Sequence, residues 1–257
     1  MNYPLLRLFC LLFIGLAPAS IYASDNPRVI RIQEIISKQT LNRLALELRH
    51  FKNTDPFPAG LIVLLDSAGG DGQAGMQIGR LLRQNNAHVF AMRQCDSACV
   101  FILMGGVVRA ATPGSIGIHA GRLTMMTPAG AIVKEVDASK SLDNSYQLVG
   151  FNNEVRLYLK EMGIRHGLLD LMLAQPASGL YKPTPSEMNL YEITAINSSY
   201  LTERINSFAH DPVLASIDRK TLVKRTRNVP QRCASSSMID EAFVNCYRHT
   251  LLGPGRP

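Results

Sequence analysis

A serine, a histidine and a pair of glycines stand in this chain where they could carry out acyl transfer. Ser97 lies in Cys95-Asp96-Ser97-Ala98-Cys99, between an apolar run and a helical pattern, and His119 closes Gly114-Ser115-Ile116-Gly117-Ile118-His119. Gly69 and Gly70 follow the run Leu61-Ile62-Val63-Leu64-Leu65 by way of Asp66-Ser67-Ala68. Acyl transfer to serine needs a base within hydrogen-bond reach of the hydroxyl, and preorganised donors for the tetrahedral oxyanion. A serine where strand gives way to helix sits at the positive end of the helix dipole. Glycine amides, with no Cβ in the way, can approach a substrate carbonyl closely. Taken singly, Ser97 reads as a helix N-cap and His119 as a satisfied strand-end histidine.

The surrounding pattern is that of an α/β chain. Residues 29–32 alternate as a strand, and Leu41, Leu44, Ala45 and Leu48 mark a helix over residues 40–51. Asp55-Pro56-Phe57-Pro58 is a loop leading to residues 61–65, which are apolar on both faces, as a central parallel strand requires. Ala74, Ile78, Leu81 and Leu82 define the next helix, residues 88–92 a strand, and residues 97–104 a helix stopped by Gly105-Gly106. Short strands at 107–111 and 116–118 flank Thr112-Pro113-Gly114, and 124–136 can form a hairpin turning at Pro128-Ala129-Gly130. A long helix is predicted over 141–162, a shorter one over 168–173, a loop over 176–185 and a last strand over 190–196. Residues 197–257 are more polar and read as an appended helical subdomain.

Asp66-Ser67-Ala68-Gly69-Gly70, then Gly75-Met76-Gln77-Ile78, then Ser97-Ala98, then Ser115 to His119, in that order, resemble the proteolytic subunit of the Clp protease. More broadly the chain is similar to the Clp/crotonase superfamily, in particular its exported Clp-like members, over residues 28–195. The resemblance implies a spiral of ββα units assembled into a homo-oligomer, with Ser97 as nucleophile, His119 as general base, and the amides of Gly70 and Ala98 as oxyanion hole. There are departures. Ala68 stands where the family has proline, and Cys95 and Cys99 flank Ser97 where the family has small or apolar residues. The family's third triad member is expected near residues 179–182, but Ser178-Gly179-Leu180-Tyr181-Lys182 holds no carboxylate. Asp170 and Glu187 lie on either side as possible substitutes.

Other chemistries compete with this one. Gly70-Asp71-Gly72-Gln73-Ala74-Gly75 matches the dinucleotide-binding pattern after a strand, with Asp96 further on, but that acidic residue should end a strand rather than stand beside Ser97. A Ser-Lys dyad, as in signal-peptide peptidases of the same superfamily, would have to use Lys134 or Lys140. No metal site is expected: His88 and His166 lack partners at ligand spacing, and the cysteine pairs do not recur at zinc intervals. No cofactor is implied.

The chain has 257 residues, 46% of them apolar, enough for one sizeable core. Residues 1–23 read as a secretory signal, with Arg7 before an apolar run and small residues around Ala19 and Ala23. Cys10 lies within that run. Export would place the protein in the periplasm, or leave it membrane-tethered if the signal stays uncleaved. Four cysteines then remain, and an oxidising compartment favours pairing them. Cys233 with Cys246 would close a C-terminal loop. Cys95 with Cys99 would clamp the Ser97 turn, if one ends a strand and the other sits a helical turn on; two buried free thiols are the alternative. The net charge of +7 comes from dispersed residues. The cluster Arg219-Lys220, Lys224-Arg225 and Arg227 has no interleaved aromatics and reads as a solvated face, so no nucleic-acid partner is expected. The domain plan is thus a signal over 1–23, a Clp/crotonase-like domain over 24–196, and a disulfide-closed helical extension over 197–257. The function expected is an exported serine peptidase acting on short or unfolded peptides, without an ATPase partner. The alternative is a catalytically weak or inactive scaffold on the same fold.

Overall fold

The computed structural model describes residues 27–51, 60–127, 132–136, 141–165, 167–210 and 214–253. The expected signal with Cys10, the expected loop at Asp55–Pro58, the expected turn at Pro128–Gly130, Lys140 and His166 lie outside the described residues.

Four parallel strands form the frame: β1 (Arg28–Ile32), β2 (Leu61–Ser67), β3 (His88–Asp96) and β4 (Val108–Ala111). An edge strand, β8 (Ala195–Ile196), runs antiparallel to β4, giving the order β1-β2-β3-β4-β8. The sheet is buried on both faces, and β2 explains why its sequence is continuously apolar. Leu61, Val63 and Leu65 point into one core, while Ile62 and Leu64 point into the other. This is the α/β class expected from the sequence.

The first core is closed by α1 (Lys38–Leu48), α2 (Gly72–Gln84), α3 (Ala98–Gly105), α4 (Leu142–Glu161) and α5 (Gly167–Leu173). α3 is buried along its whole length, and α2 packs on it closely because glycines line the seam. A Cβ on Gly75 would stand 2.7 Å from the Ala98 carbonyl, and one on Gly79 would stand 1.9 Å from the Tyr158 hydroxyl. That hydroxyl in turn donates to the Phe101 carbonyl at 2.6 Å, fixing α4 against α3.

The second core is closed by α7 (Ser198–Phe208), α8 (Arg219–Arg232) and α9 (Asp240–Leu252). Leu201, Phe208, Leu222, Val229, Phe243 and Tyr247 pack on Phe90, Met92 and Val108 from the sheet. The C-terminal helices therefore form the second layer of the fold rather than standing apart as a subdomain. His88 of β3 joins them directly, hydrogen-bonded through Nδ1 to Tyr247 and through Nε2 to Tyr200 at 2.8 Å.

One expectation changes. Residues 190–196 do not form a strand; only Ala195–Ile196 pair, and α6 (Pro185–Leu190) precedes them. Thr184-Pro185-Ser186-Glu187 explains this: Thr184 and Glu187 form a reciprocal capping box, with proline at the first helical position. β6 (Leu123–Met126) and β7 (Ile132–Val136) do form an antiparallel pair. No described helix is long and apolar enough to cross a membrane.

Candidate active site

The sheet splits at the carboxyl end of β3, and the split makes the site. The first half of β3 pairs with β4, from His88 opposite Val108 to Ala91 opposite Ala111. Its last residues pair instead with β5 (Ile116–Gly117), Cys95 opposite Ile116 and Asp96 opposite Gly117. The ladder to β2 shifts register between Leu65 and Ser67. In open α/β sheets, ligands bind in the crevice at the carboxyl ends of strands, which is where these departures open one.

Ser97 is the turn between β3 and α3. Its amide donates to the Gly117 carbonyl at 2.8 Å, and its backbone is held at φ 54°, ψ −122°, a conformation that a residue with a Cβ rarely adopts. Although Ser97 occupies the N-cap of α3, its side chain makes no cap hydrogen bond. The hydroxyl is directed at His119 instead, with Oγ 2.8 Å from Nε2. Ser97 is therefore not an ordinary cap, because a capping serine bonds the amides of the first turn.

His119 is buried at the end of the segment that continues β5. Ile118 holds the segment from the other side, exchanging hydrogen bonds with Tyr181 at 2.9 and 2.8 Å. The His119 Nδ1 lies 2.6 Å from the Ala120 carbonyl, which can only accept. The proton of the neutral ring is thereby assigned to Nδ1, and Nε2 becomes the acceptor for the Ser97 hydroxyl.

Neither carboxylate considered as a third member reaches the imidazole. Glu187 is held by the Thr184 amide and hydroxyl at 2.8 Å each, and by the Tyr181 hydroxyl at 2.8 and 2.9 Å. Thr184 first, and then Tyr181, keep its carboxyl below the usual carboxylate range. Asp170 is exposed in the first turn of α5. Among the described residues no carboxylate bonds the His119 ring; the main chain of Ala120 takes that place. A carbonyl carries no residue signature, so sequence reading had nothing to find there.

A second unforeseen feature is an ion pair beside Ser97, between a buried carboxylate and an exposed lysine. Asp96, adjacent to Ser97 and 3% exposed, accepts from Lys182 Nζ at 2.6 Å and from Gln94 Nε2 at 2.6 Å. Lys182 belongs to the very stretch where a triad acid was expected. The pair passes over Gly117, where a Cβ would stand 2.1 Å from Asp96 Oδ1.

The glycines and Ala98 complete the arrangement. Ile36 donates to the Gly69 carbonyl, and the Asp71 amide donates to Ile36, both at 2.8 Å. In a trans peptide the N–H lies opposite the C=O, so the Gly70 amide, which shares its peptide with the Gly69 carbonyl bonded to Ile36, points away from Ile36; Gly70 lines the cavity. Its φ of 143° and the Ile36 carbonyl, 2.2 Å from where a Cβ would be, restrict the position to glycine. Ala98 opens α3, and its amide has no intrahelical acceptor. Ser97, His119, Gly70 and Ala98 all border one cavity of about 630 Å³, whose inner wall includes Phe101, Phe151, Leu169 and Met172.

The competing patterns fare differently. The helix N-terminus that would hold a pyrophosphate is already capped by Asp71, whose carboxylate accepts from the Gln73 and Ala74 amides at 2.8 and 3.1 Å. Asp96, the acidic residue of that pattern, is engaged by Lys182. Lys134 is exposed on β7. Among the described residues no cluster of three histidine, cysteine or acidic side chains is placed to hold a metal. Both cysteine pairs lie at disulfide distance: Cys95 and Cys99 with Cα atoms 5.1 Å apart, and Cys233 and Cys246 with Cα atoms 5.7 Å apart.

No family model matches the sequence. No curated protein matches it either. Among solved structures the chain is similar to a mutant of ClpP1 from Listeria monocytogenes, with 16% identity, over 65% of this chain and 88% of that one, at a TM-score of 0.47. A likeness of that degree concerns the fold alone, and the roles of the site residues rest on their own geometry.

Proposed function

We propose that this protein is a serine hydrolase, a peptidase for short or unfolded peptides, acting through Ser97 and His119. The observation that carries the reading is the 2.8 Å contact from a strained, uncapped serine hydroxyl to an imidazole whose tautomer is already set to receive its proton. His119 Nε2 takes the hydroxyl proton as Oγ attacks the substrate carbonyl, and the oxyanion meets the Gly70 and Ala98 amides. The imidazolium then gives that proton to the leaving amine, and water, deprotonated by the same nitrogen, releases the acyl group. Replacing the aspartate of a known triad with asparagine costs about four decades, because the wrong tautomer results. Here the tautomer is retained, and what the Ala120 carbonyl lacks is charge to stabilise the imidazolium. The enzyme is accordingly a slow one.

The apolar inner wall of the cavity suits a peptide side chain. Export to the periplasm, with or without retention by the signal segment, is supported by the N-terminal pattern and by two cysteine pairs at disulfide distance. In such a compartment no ATP-driven partner supplies unfolded chains, which limits substrates to peptides already extended. Assembly with further copies is supported by Leu142, Tyr146, Val149 and Leu157, apolar residues of α4 that one chain leaves exposed. The non-catalytic alternative draws its support from the missing carboxylate alone.

A fluorophosphonate probe tests the reading. Labelling of the wild type at Ser97, mapped by peptide mass, and its loss in Ser97→Ala are expected. An unlabelled folded wild type, or labelling at another residue that survives in Ser97→Ala, would overturn it.

A further inference from the structure

The Ser97 conformation requires something to hold it, and the chain supplies a covalent loop. Ser97 stands at the apex of the five residues from Cys95 to Cys99, whose end sulfurs lie at bonding distance. One end is fixed to the sheet, since the Cys95 amide donates to the Ser115 carbonyl at 2.7 Å and Cys95 is in register with Ser67 and Ile116. The other end, Cys99, is the second residue of α3, and both cysteines are fully buried in the first core. Between them a residue with a Cβ is kept at φ 54° with its hydroxyl off the helix cap and on His119. Opening the loop would let Ser97 return to a common backbone conformation, in which the cap amides compete for its hydroxyl.

We infer that the Cys95–Cys99 bridge is the positioning device of the nucleophile, and that the enzyme is fully active only in its oxidised form. The inference rests on the Ser97–His119 reading above. The redox step is a simple exchange. A dithiol reductant gives two electrons and two protons to the bridge, leaving thiols at Cys95 and Cys99, and itself closes to a cyclic disulfide. The reverse exchange restores the loop. Cys95 and Cys99 touch no reacting atom; they act through the backbone of Ser97. The second pair, Cys233 and Cys246, joins α9 to the end of α8 on the opposite face of the sheet and has no part in this.

The experiment measures the rate of fluorophosphonate labelling at Ser97, referred to the folded fraction read by near-ultraviolet circular dichroism. Four proteins are compared with and without dithiothreitol: wild type, Cys95→Ala/Cys99→Ala, Cys233→Ala/Cys246→Ala and Ser97→Ala. Thiol release is confirmed by alkylation mass. Release of the strain should slow labelling roughly tenfold or more in reduced wild type and in the first pair variant. The second pair variant should respond to reductant as wild type does, the first should not respond, and reoxidation should restore wild type. If the first alanine pair fails to fold, Cys95→Val/Cys99→Ala, which refills the apolar space, replaces it. Folded protein lacking the bridge but labelled at the oxidised wild-type rate would overturn the inference while leaving the hydrolase reading intact. Absence of Ser97 labelling in oxidised wild type would instead overturn the hydrolase reading.

Discussion

Acidification should loosen the C-terminal layer from the sheet, and His88 sets how strongly. Its imidazole is fully buried between the Tyr200 and Tyr247 hydroxyls. Burial first, and then the charge of Arg204, push it down from the ordinary 6.5 to about 3. The folded protein thus keeps His88 neutral where the unfolded chain would protonate it. Stability from this source is complete above the unfolded value of 6.5 and is lost as pH falls toward about 3, because the unfolded chain binds the extra proton throughout that window. Well inside the window each pH unit costs about 1.4 kcal/mol, so moving from pH 6.5 to 4.5 removes on the order of 2 kcal/mol. That is a large share of the ~5–15 kcal/mol typical of a folded protein. His88→Gln is the control, since an amide can still accept from one tyrosine and donate to the other but does not titrate. The protein has no tryptophan, so urea unfolding is followed by tyrosine fluorescence and circular dichroism, with disulfides intact. The difference between wild-type and variant stability should change with a slope near 1.4 kcal/mol per unit below pH 6. Parallel curves for the two proteins across that range would refute the assignment of His88 as a neutral link between layers.

Two further outcomes follow from the site geometry. Glu187→Gln and Asp170→Asn should each leave the labelling rate of Ser97 unchanged, and only Glu187→Gln should lower the melting temperature, through the Thr184 cap and Tyr181; a large fall in labelling with either would reinstate a carboxylate as the third member. Gly117→Ala would force its Cβ to 2.1 Å from Asp96 Oδ1 and 3.0 Å from Lys182 Nζ, and should cost about 1–3 kcal/mol while slowing labelling; unchanged stability in urea unfolding would mean that the Asp96–Lys182 pair does not cross that residue.

How far the chain could be read before folding varied with the kind of signal. Taken singly Ser97 and His119 had bland readings, and the order and spacing of the motifs around them made the pair legible; the structure places their side chains 2.8 Å apart. The sheet strands β1 to β4 were legible as apolar runs, and the parallel arrangement followed from the two-sided apolarity of β2. The group that holds His119 was not legible, since a main-chain carbonyl leaves no mark on residue type. Lys182 was passed over because an acid was sought there, and the carboxylate it answers, Asp96, is distant in sequence. The strand expected at 190–196 failed for a nameable reason. The capping box of Thr184 and Glu187 was present in the sequence, and it begins a helix that leaves room for only two paired residues. The C-terminal helices were legible as helices, but their partner face was not. Leu201, Phe208, Val229 and Phe243 are spaced among polar residues, and only the fold shows that they meet Phe90 and Met92.

The most direct test of the central claim is the second-order rate of fluorophosphonate labelling at Ser97 in wild type against His119→Ala, both oxidised and both folded. A general base of this kind contributes a factor of roughly 10²–10⁴, and a loss of that size with unchanged circular dichroism is the expected result. Equal rates in the two proteins would contradict the account, because the hydroxyl would then be reactive without the imidazole that faces it at 2.8 Å.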